Sequence, residues 1–175
     1  MSRHDELAAR FENLAANYGE RLMAYLLRRV DRDEAPDVAA ETLLTAWRRV
    51  RIMPVDDEQA FWWLLAIARR TAANHRRGIV RKVALADRLR ALPTTITSPA
   101  DTESQIMLRD SLTRLSDDDQ ELVRLVYWDG LRIKEAGMVL GVGEATARKR
   151  MQRIRESLRT ALESEDDQVT QTVQL

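Results

Sequence analysis

Apolar residues return along this chain every third or fourth position, and nowhere do Val, Ile and Thr alternate with polar residues over a useful length. Spacing of that kind puts one stripe on a helix and cannot keep one face of a strand dry. From Asp5 to Val30 the stripe is Leu7, Phe11, Leu14, Tyr18, Leu22, Tyr25 and Leu26. Leu, Ala, Arg, Glu and Asp dominate the composition, and Gly, Phe and Tyr are few, so the expected class is all-α.

A polar turn with Pro36 ends the first helix, and a second is predicted from about Pro36 to Val50, where proline suits the first turn. Ala39, Leu43, Ala46, Trp47 and Val50 make its buried stripe, leaving Asp37, Glu41, Leu44 and Arg48 opposite. Two carboxylates four apart could bind a metal or act as acid and base, but no His stands near them, so this face suits a protein contact better. Pro54 marks the loop Arg51 to Glu58, and Asp56 or Asp57 is placed to cap the helix that follows.

That third helix, Ala60 to Lys82, has a sharply one-sided charge. Phe61, Leu64, Leu65, Ala68 and Ala72 form its core side, and Trp63, Ile67, Arg70, Asn74 and Arg77 line the neighbouring face. Arg69, Arg70, Arg76, Arg77, Arg81 and Lys82 are joined by no acidic residue, although the whole chain balances 28 basic against 28 acidic residues. A solvated face would mix both signs, so a polyanion is the expected partner. Trp62 and Trp63 sharpen this, because unpaired bases stack on rings set among arginines. One of the two tryptophans is expected to be structural.

After a short amphipathic stretch, PTTITSPADT offers nothing to bury and reads as a linker. The second unit starts at Ser98-Pro99-Ala100-Asp101, an N-cap with proline in the first turn of a helix that reaches Leu115, and Ser116 with Asp119 reads as a capping box for the next, closed by Gly130. A short helix from about Ile133 to Leu140, a turn at Gly141 to Gly143 and a long helix from Glu144 to about Leu162 fit a helix-turn-helix, a pattern that plain bundles also produce. Ala147, Met151, Ile154, Leu158 and Leu162 face inward, which leaves Arg148, Lys149, Gln152, Arg153 and Arg155 for solvent or DNA. Gly137 is expected where the second helix crosses close to the first. The polar tail after Glu163 is expected to be disordered.

Several classes are set aside. Without Cys there are no disulfides, thiolate metal sites or cysteine nucleophiles, which fits a reducing interior. No signal peptide or run of about 18 apolar residues occurs, so the expectation is a cytoplasmic chain without membrane insertion. Only His4 and His75 are present and no GxxxxGK loop, so no enzyme, catalytic residue, metal site or cofactor is expected.

With both units placed, the chain resembles the sigma-70 family of bacterial RNA polymerase initiation factors, in particular the small extracytoplasmic-function (ECF) type. DVAAETLLTAW, from Asp37 to Trp47, resembles the family's DLVQETFLRAW. FWWLLAIARRTAANHRR is similar to FRAWLFRIARNLALDHLRR, and the stretch from Leu112 to Leu158 is similar to LxxLPxxxRxVxxLRYxxGLSYxEIAxxLGISxGTVKSRLxRARExL. The order and separation of the motifs match as well.

The resemblance implies two small helical domains: 1–84 for polymerase binding and the −10 element, and 100–163 as a four-helix domain carrying the helix-turn-helix for the −35 element. A flexible linker, 85–99, and a disordered tail, 164–175, complete the expectation. Asp37, Glu41, Leu44 and Arg48 would meet the core polymerase. Trp62, Trp63, Arg69, Arg70, Asn74 and Arg77, with the loop Arg51 to Asp57, would grip and melt the −10 element. Glu144, Thr146, Arg148, Lys149, Gln152 and Arg153 would read −35 DNA. Arg70, Asn74 and Ala147 depart from the family pattern, which implies a different promoter preference. An anti-sigma factor is implied as a further partner. Opening about a dozen base pairs costs on the order of 15 kcal/mol at ~1.4 kcal/mol per step. Capturing one or two flipped bases returns only about 2–6 kcal/mol. Such a chain must borrow energy from a larger machine. The competing reading, a free-standing helix-turn-helix regulator with a sensing or dimerising N-terminal unit, needs no polymerase to bind duplex tightly.

Overall fold

The structure, a computed structural model, describes residues 3–87 and 112–172, and every regular element among them is helical. The chain divides into two compact units, Met1–Pro93 and Thr94–Leu175.

The first unit packs three helices, α1 (Arg3–Leu27), α2 (Ala35–Arg48) and α3 (Asp57–Asp87), each against the other two. Its core takes Leu14, Leu22, Tyr25 and Leu26 from α1, Val38, Ala39 and Ala46 from α2, and Phe61, Leu64, Leu65, Ile67, Ala68 and Ala72 from α3. Aromatic pairs join the helices: Phe11 meets Trp47 at a centroid distance of 5.3 Å, and Tyr18 stacks on Phe61 at 4.6 Å. Contacts of this geometry add about 0.5–1.5 kcal/mol beyond the area they bury. The buried threonine hydroxyls are satisfied within their own helix. Thr42 Oγ1 donates to the Val38 carbonyl at 2.7 Å, and Thr71 Oγ1 to that of Ile67 at 3.1 Å.

Ile67 corrects the sequence reading, which set it on the cationic face; it is buried. The buried arc of α3 is wider than the stripe in the sequence, because α1 and α2 both pack on this helix and Ala60, Ile67 and Thr71 join its core side. The Gln59 N–H donates to Asp56 Oδ1 at 2.9 Å, so Asp56 caps α3 as expected. Past Lys82 the helix continues through Asp87, since no Gly or Pro follows Gly78 until Pro93. Residues 85–87, expected in the linker, are therefore helical, and the rest of that linker lies outside the described residues.

In the second unit the expected helix from Asp101 lies outside the described residues except for its last turn, where Leu112 and Thr113 are helical. Ser116 then caps α4 (Asp117–Tyr127), its hydroxyl accepting from the Asp119 N–H at 3.2 Å. Changing Ser116 to Ala is expected to lower the stability of this unit by about 1 kcal/mol, read as a shifted urea midpoint with an unchanged slope. Gly130, at φ 68°, turns the chain back so that the Leu131 N–H reaches the Leu125 carbonyl at 2.9 Å.

The short helix α5 (Ile133–Leu140) and the long α6 (Glu144–Thr172) form the expected helix-turn-helix. Gly141 ends α5 in the left-handed region at φ 73°, where a side chain would be strained. A Cβ placed on Gly137 would lie 3.0 Å from the Val142 carbonyl oxygen and 3.4 Å from the Ala147 Cβ, so glycine is what lets turn and second helix close onto α5. Among the described residues Leu122, Val123, Leu125, Leu131, Ala136, Val139, Ala147, Met151 and Ile154 are the buried apolar core. The tail expected to be disordered is helical through Thr172, because nothing after Leu162 in the sequence breaks a helix.

Candidate nucleic-acid and protein interfaces

Helical spacing of four, three and four residues sets Asp37, Glu41, Leu44 and Arg48 in one line along α2, and all four are exposed. Leu44, between Glu41 and Arg48, keeps 48% of its surface in water, a large apolar side chain left outside the core of the unit.

On α3, Arg70, Asn74 and Arg77 are exposed, and Arg69 is half-buried. Arg77 Nη2 donates to Asn74 Oδ1 at 2.6 Å, which ties two predicted contacts into one group. Both Trp62 and Trp63 are half-buried, so neither is a pure core residue. The expected split between a structural and a functional ring is not seen; each has a packed side and a wet side. On the same helix His75 Nε2 lies 2.9 Å from Glu34 Oε2, at the start of α2.

The connection from α2 to α3 contains a 3-10 turn, Val50–Ile52, and carries a feature that helical spacing did not reveal. Met53 is buried and Arg10 Nη2 of α1 donates to the Pro54 carbonyl at 2.6 Å, while Ile52 and Val55 on either side stay 70% and 84% exposed. The loop is thus anchored at its middle and presents two apolar side chains to water. The only signal in the sequence was that both residues fall off every apolar stripe.

In the second unit Glu144, Thr146, Arg148, Lys149, Gln152 and Arg153 are all exposed on α6. They are not equivalent. Arg148 Nη2 is 2.6 Å from Glu144 Oε1, and Gln152 Nε2 donates to Glu156 Oε1 at 2.9 Å. Arg153 and Arg150 share a cavity with Asp117, Asp118 and Asp119, and Arg150 Nη1 lies 3.7 Å from Asp118 Oδ2. Exposed Tyr127 and Trp128 at the end of α4 were absent from the sequence-predicted set. A face of this kind, a helix with amide and guanidinium groups projecting from a packed support, matches the hydrogen-bonding edges of bases in a major groove. No described helix is long and apolar enough to cross a membrane.

Comparison with known proteins gives the family. A family model described as ECF sigma factor matches residues 7–164. The ECF RNA polymerase sigma factor SigL of Mycobacterium tuberculosis is 25% identical over 146 residues, covering 81% of this chain and 82% of that one. BldN, an ECF RNA polymerase sigma factor of Streptomyces coelicolor, is 30% identical over 141 residues, or 77% of this chain and 53% of its own. Among solved structures, the sigma factor RpoE in complex with the anti-sigma factor NepR, from Bartonella quintana, shares the fold at a TM-score of 0.58, with 22% identity over 87% of this chain and 96% of that one.

Proposed function

The chain belongs to the ECF sigma factor family, whose members direct transcription initiation, and from that membership we propose how its two units divide the work. The first unit docks on core RNA polymerase through Asp37, Glu41, Leu44 and Arg48. It holds the opened −10 element with Trp62, Trp63, Arg69, Arg70, Asn74 and Arg77, helped by the loop Arg51 to Asp57. The second unit, residues 100–163, reads duplex −35 DNA through Glu144, Thr146, Arg148, Lys149, Gln152 and Arg153.

The observation that carries this reading is the line on α2 in which Leu44, 48% exposed, follows the carboxylates Asp37 and Glu41. A surface that itself binds DNA has no use for Asp37 and Glu41 beside an exposed leucine, since carboxylates repel phosphate. A chain that must borrow energy to open a duplex has such a use. Promoter DNA and core polymerase are the partners. An anti-sigma factor is proposed as a third, the fold being one that RpoE presents to NepR.

Run-off transcription with core polymerase on genomic promoter fragments tests the reading. Glu41→Ala and Leu44→Ala are each expected to lower transcript yield at limiting polymerase by roughly five- to tenfold, as expected for one buried apolar or charged anchor. Unchanged yield in both would remove the docking assignment. Tight, specific duplex binding without polymerase would favour a free-standing regulator.

A further inference from the structure

We infer that the flank of α6 bearing Arg148, Arg155 and Arg159 is a groove for phosphates of the DNA backbone, and that the Tyr127 hydroxyl positions Arg155 in it. This rests on the second unit binding duplex DNA.

A cavity of about 350 Å³ lies along this flank, lined by the three arginines with Ile133 of α5, Gln152 and Glu156 among its other residues. Positions 148, 152, 155 and 159 follow the helical repeat, so their side chains form a line roughly 16 Å long at 1.5 Å rise per residue. The carboxylate in its lining, Glu156, already accepts from Gln152 Nε2 at 2.9 Å, and Glu144 beside it pairs with Arg148 at 2.6 Å, which leaves three guanidinium groups against two carboxylates. Guanidinium groups in excess over carboxylate, presented as planar forks, suit phosphate oxygens.

The other flank of the same helix differs. There Arg150 and Arg153 face Asp117, Asp118 and Asp119, and a phosphate would meet carboxylates. The charge on either side of α6 therefore singles out the flank on which backbone phosphates can lie, and leaves Arg153 to contacts with bases.

Arg155 Nε donates to the Tyr127 hydroxyl at 3.1 Å, across 28 positions of sequence. Both residues are exposed, so the bond is not part of the core. It engages Nε and leaves the terminal nitrogens to a ligand. A guanidinium already held in place also loses less rotamer freedom on binding than a free one. Tyr127 thus acts as a positioning residue, through Arg155.

The test measures binding of the full chain with core polymerase to a transcribed promoter fragment over a range of KCl concentrations. It is repeated on the same fragment with a scrambled −35 element. Arg155→Ala is expected to make the log–log salt slope shallower by about 0.9, the value for one lost phosphate contact, and to weaken both DNAs by the same factor. Arg155→Lys should keep the slope. Tyr127→Phe should weaken binding about two- to tenfold in the wild-type background and not at all in Arg155→Ala. A wild-type slope in Arg155→Ala overturns the groove. A Tyr127→Phe loss that persists without Arg155 overturns the positioning role. If the wild-type complex does not prefer the intact −35 element, the duplex-reading role of the second unit fails, and the groove with it.

Discussion

Changing Trp62 and Trp63 together to Ala is expected to lower open-complex formation by roughly 30-fold or more. Each base stacked on an aromatic ring is worth about 1–3 kcal/mol, so two lost rings remove at least about 2 kcal/mol, at 1.4 kcal/mol per tenfold. Because both rings are half-buried, part of the loss could come from weakened packing, and the paired Phe variant separates the two causes. Phe keeps a stacking face, so Trp62→Phe/Trp63→Phe should retain most open-complex formation. Permanganate footprinting of the melted region reads the effect directly, and thermal unfolding of the free chain reads the packing. Equal footprints for the Ala pair and the wild type would rule out this face as the holder of separated strands.

The second large effect is expected at Gly137. Valine there would push a branched side chain against the Val142 carbonyl oxygen and the Ala147 Cβ, which already lie 3.0 Å and 3.4 Å from where its Cβ would sit. Overpacking of this kind costs about 1–3 kcal/mol, and the turn that sets α6 against α5 would have to move. Dependence on the −35 element should be lost. Hydrogen exchange should speed up across Asp117 to Ile154 and stay unchanged across α1 and α2, since these lie in the other unit. Gly137→Ala is milder, because the helix gains up to about 1 kcal/mol in propensity against the tight contact. Wild-type exchange in the valine variant would sink the expectation.

What the sequence could show was local. Asp56 and Ser116 were recognisable as caps because a cap depends on its own next three residues. Ile133–Leu140 with Gly141 was recognisable because a short apolar repeat ran into the residue type that tolerates positive φ. Ile67 was misplaced because its burial depends on how two other helices pack on α3. The helices ran past Lys82 and Leu162 because polarity alone does not stop a helix. The bond between Tyr127 and Arg155 joins residues 28 apart, so no periodicity contains it. Asp37, Glu41, Leu44 and Arg48 could be placed on an exposed line from spacing alone. The partner proposed for that line came only from the family resemblance.

The loop between α2 and α3 carries a further thermodynamic consequence. With Met53 buried below and Arg10 gripping the Pro54 carbonyl, this segment is already ordered before anything meets it. Ile52 and Val55 are held in water at a hydration cost of about 1–2 kcal/mol each relative to burial. Whatever covers them recovers that free energy with little entropy lost to freezing the backbone, so complexes formed at this loop should strengthen on warming through the ambient range and show a negative heat-capacity change.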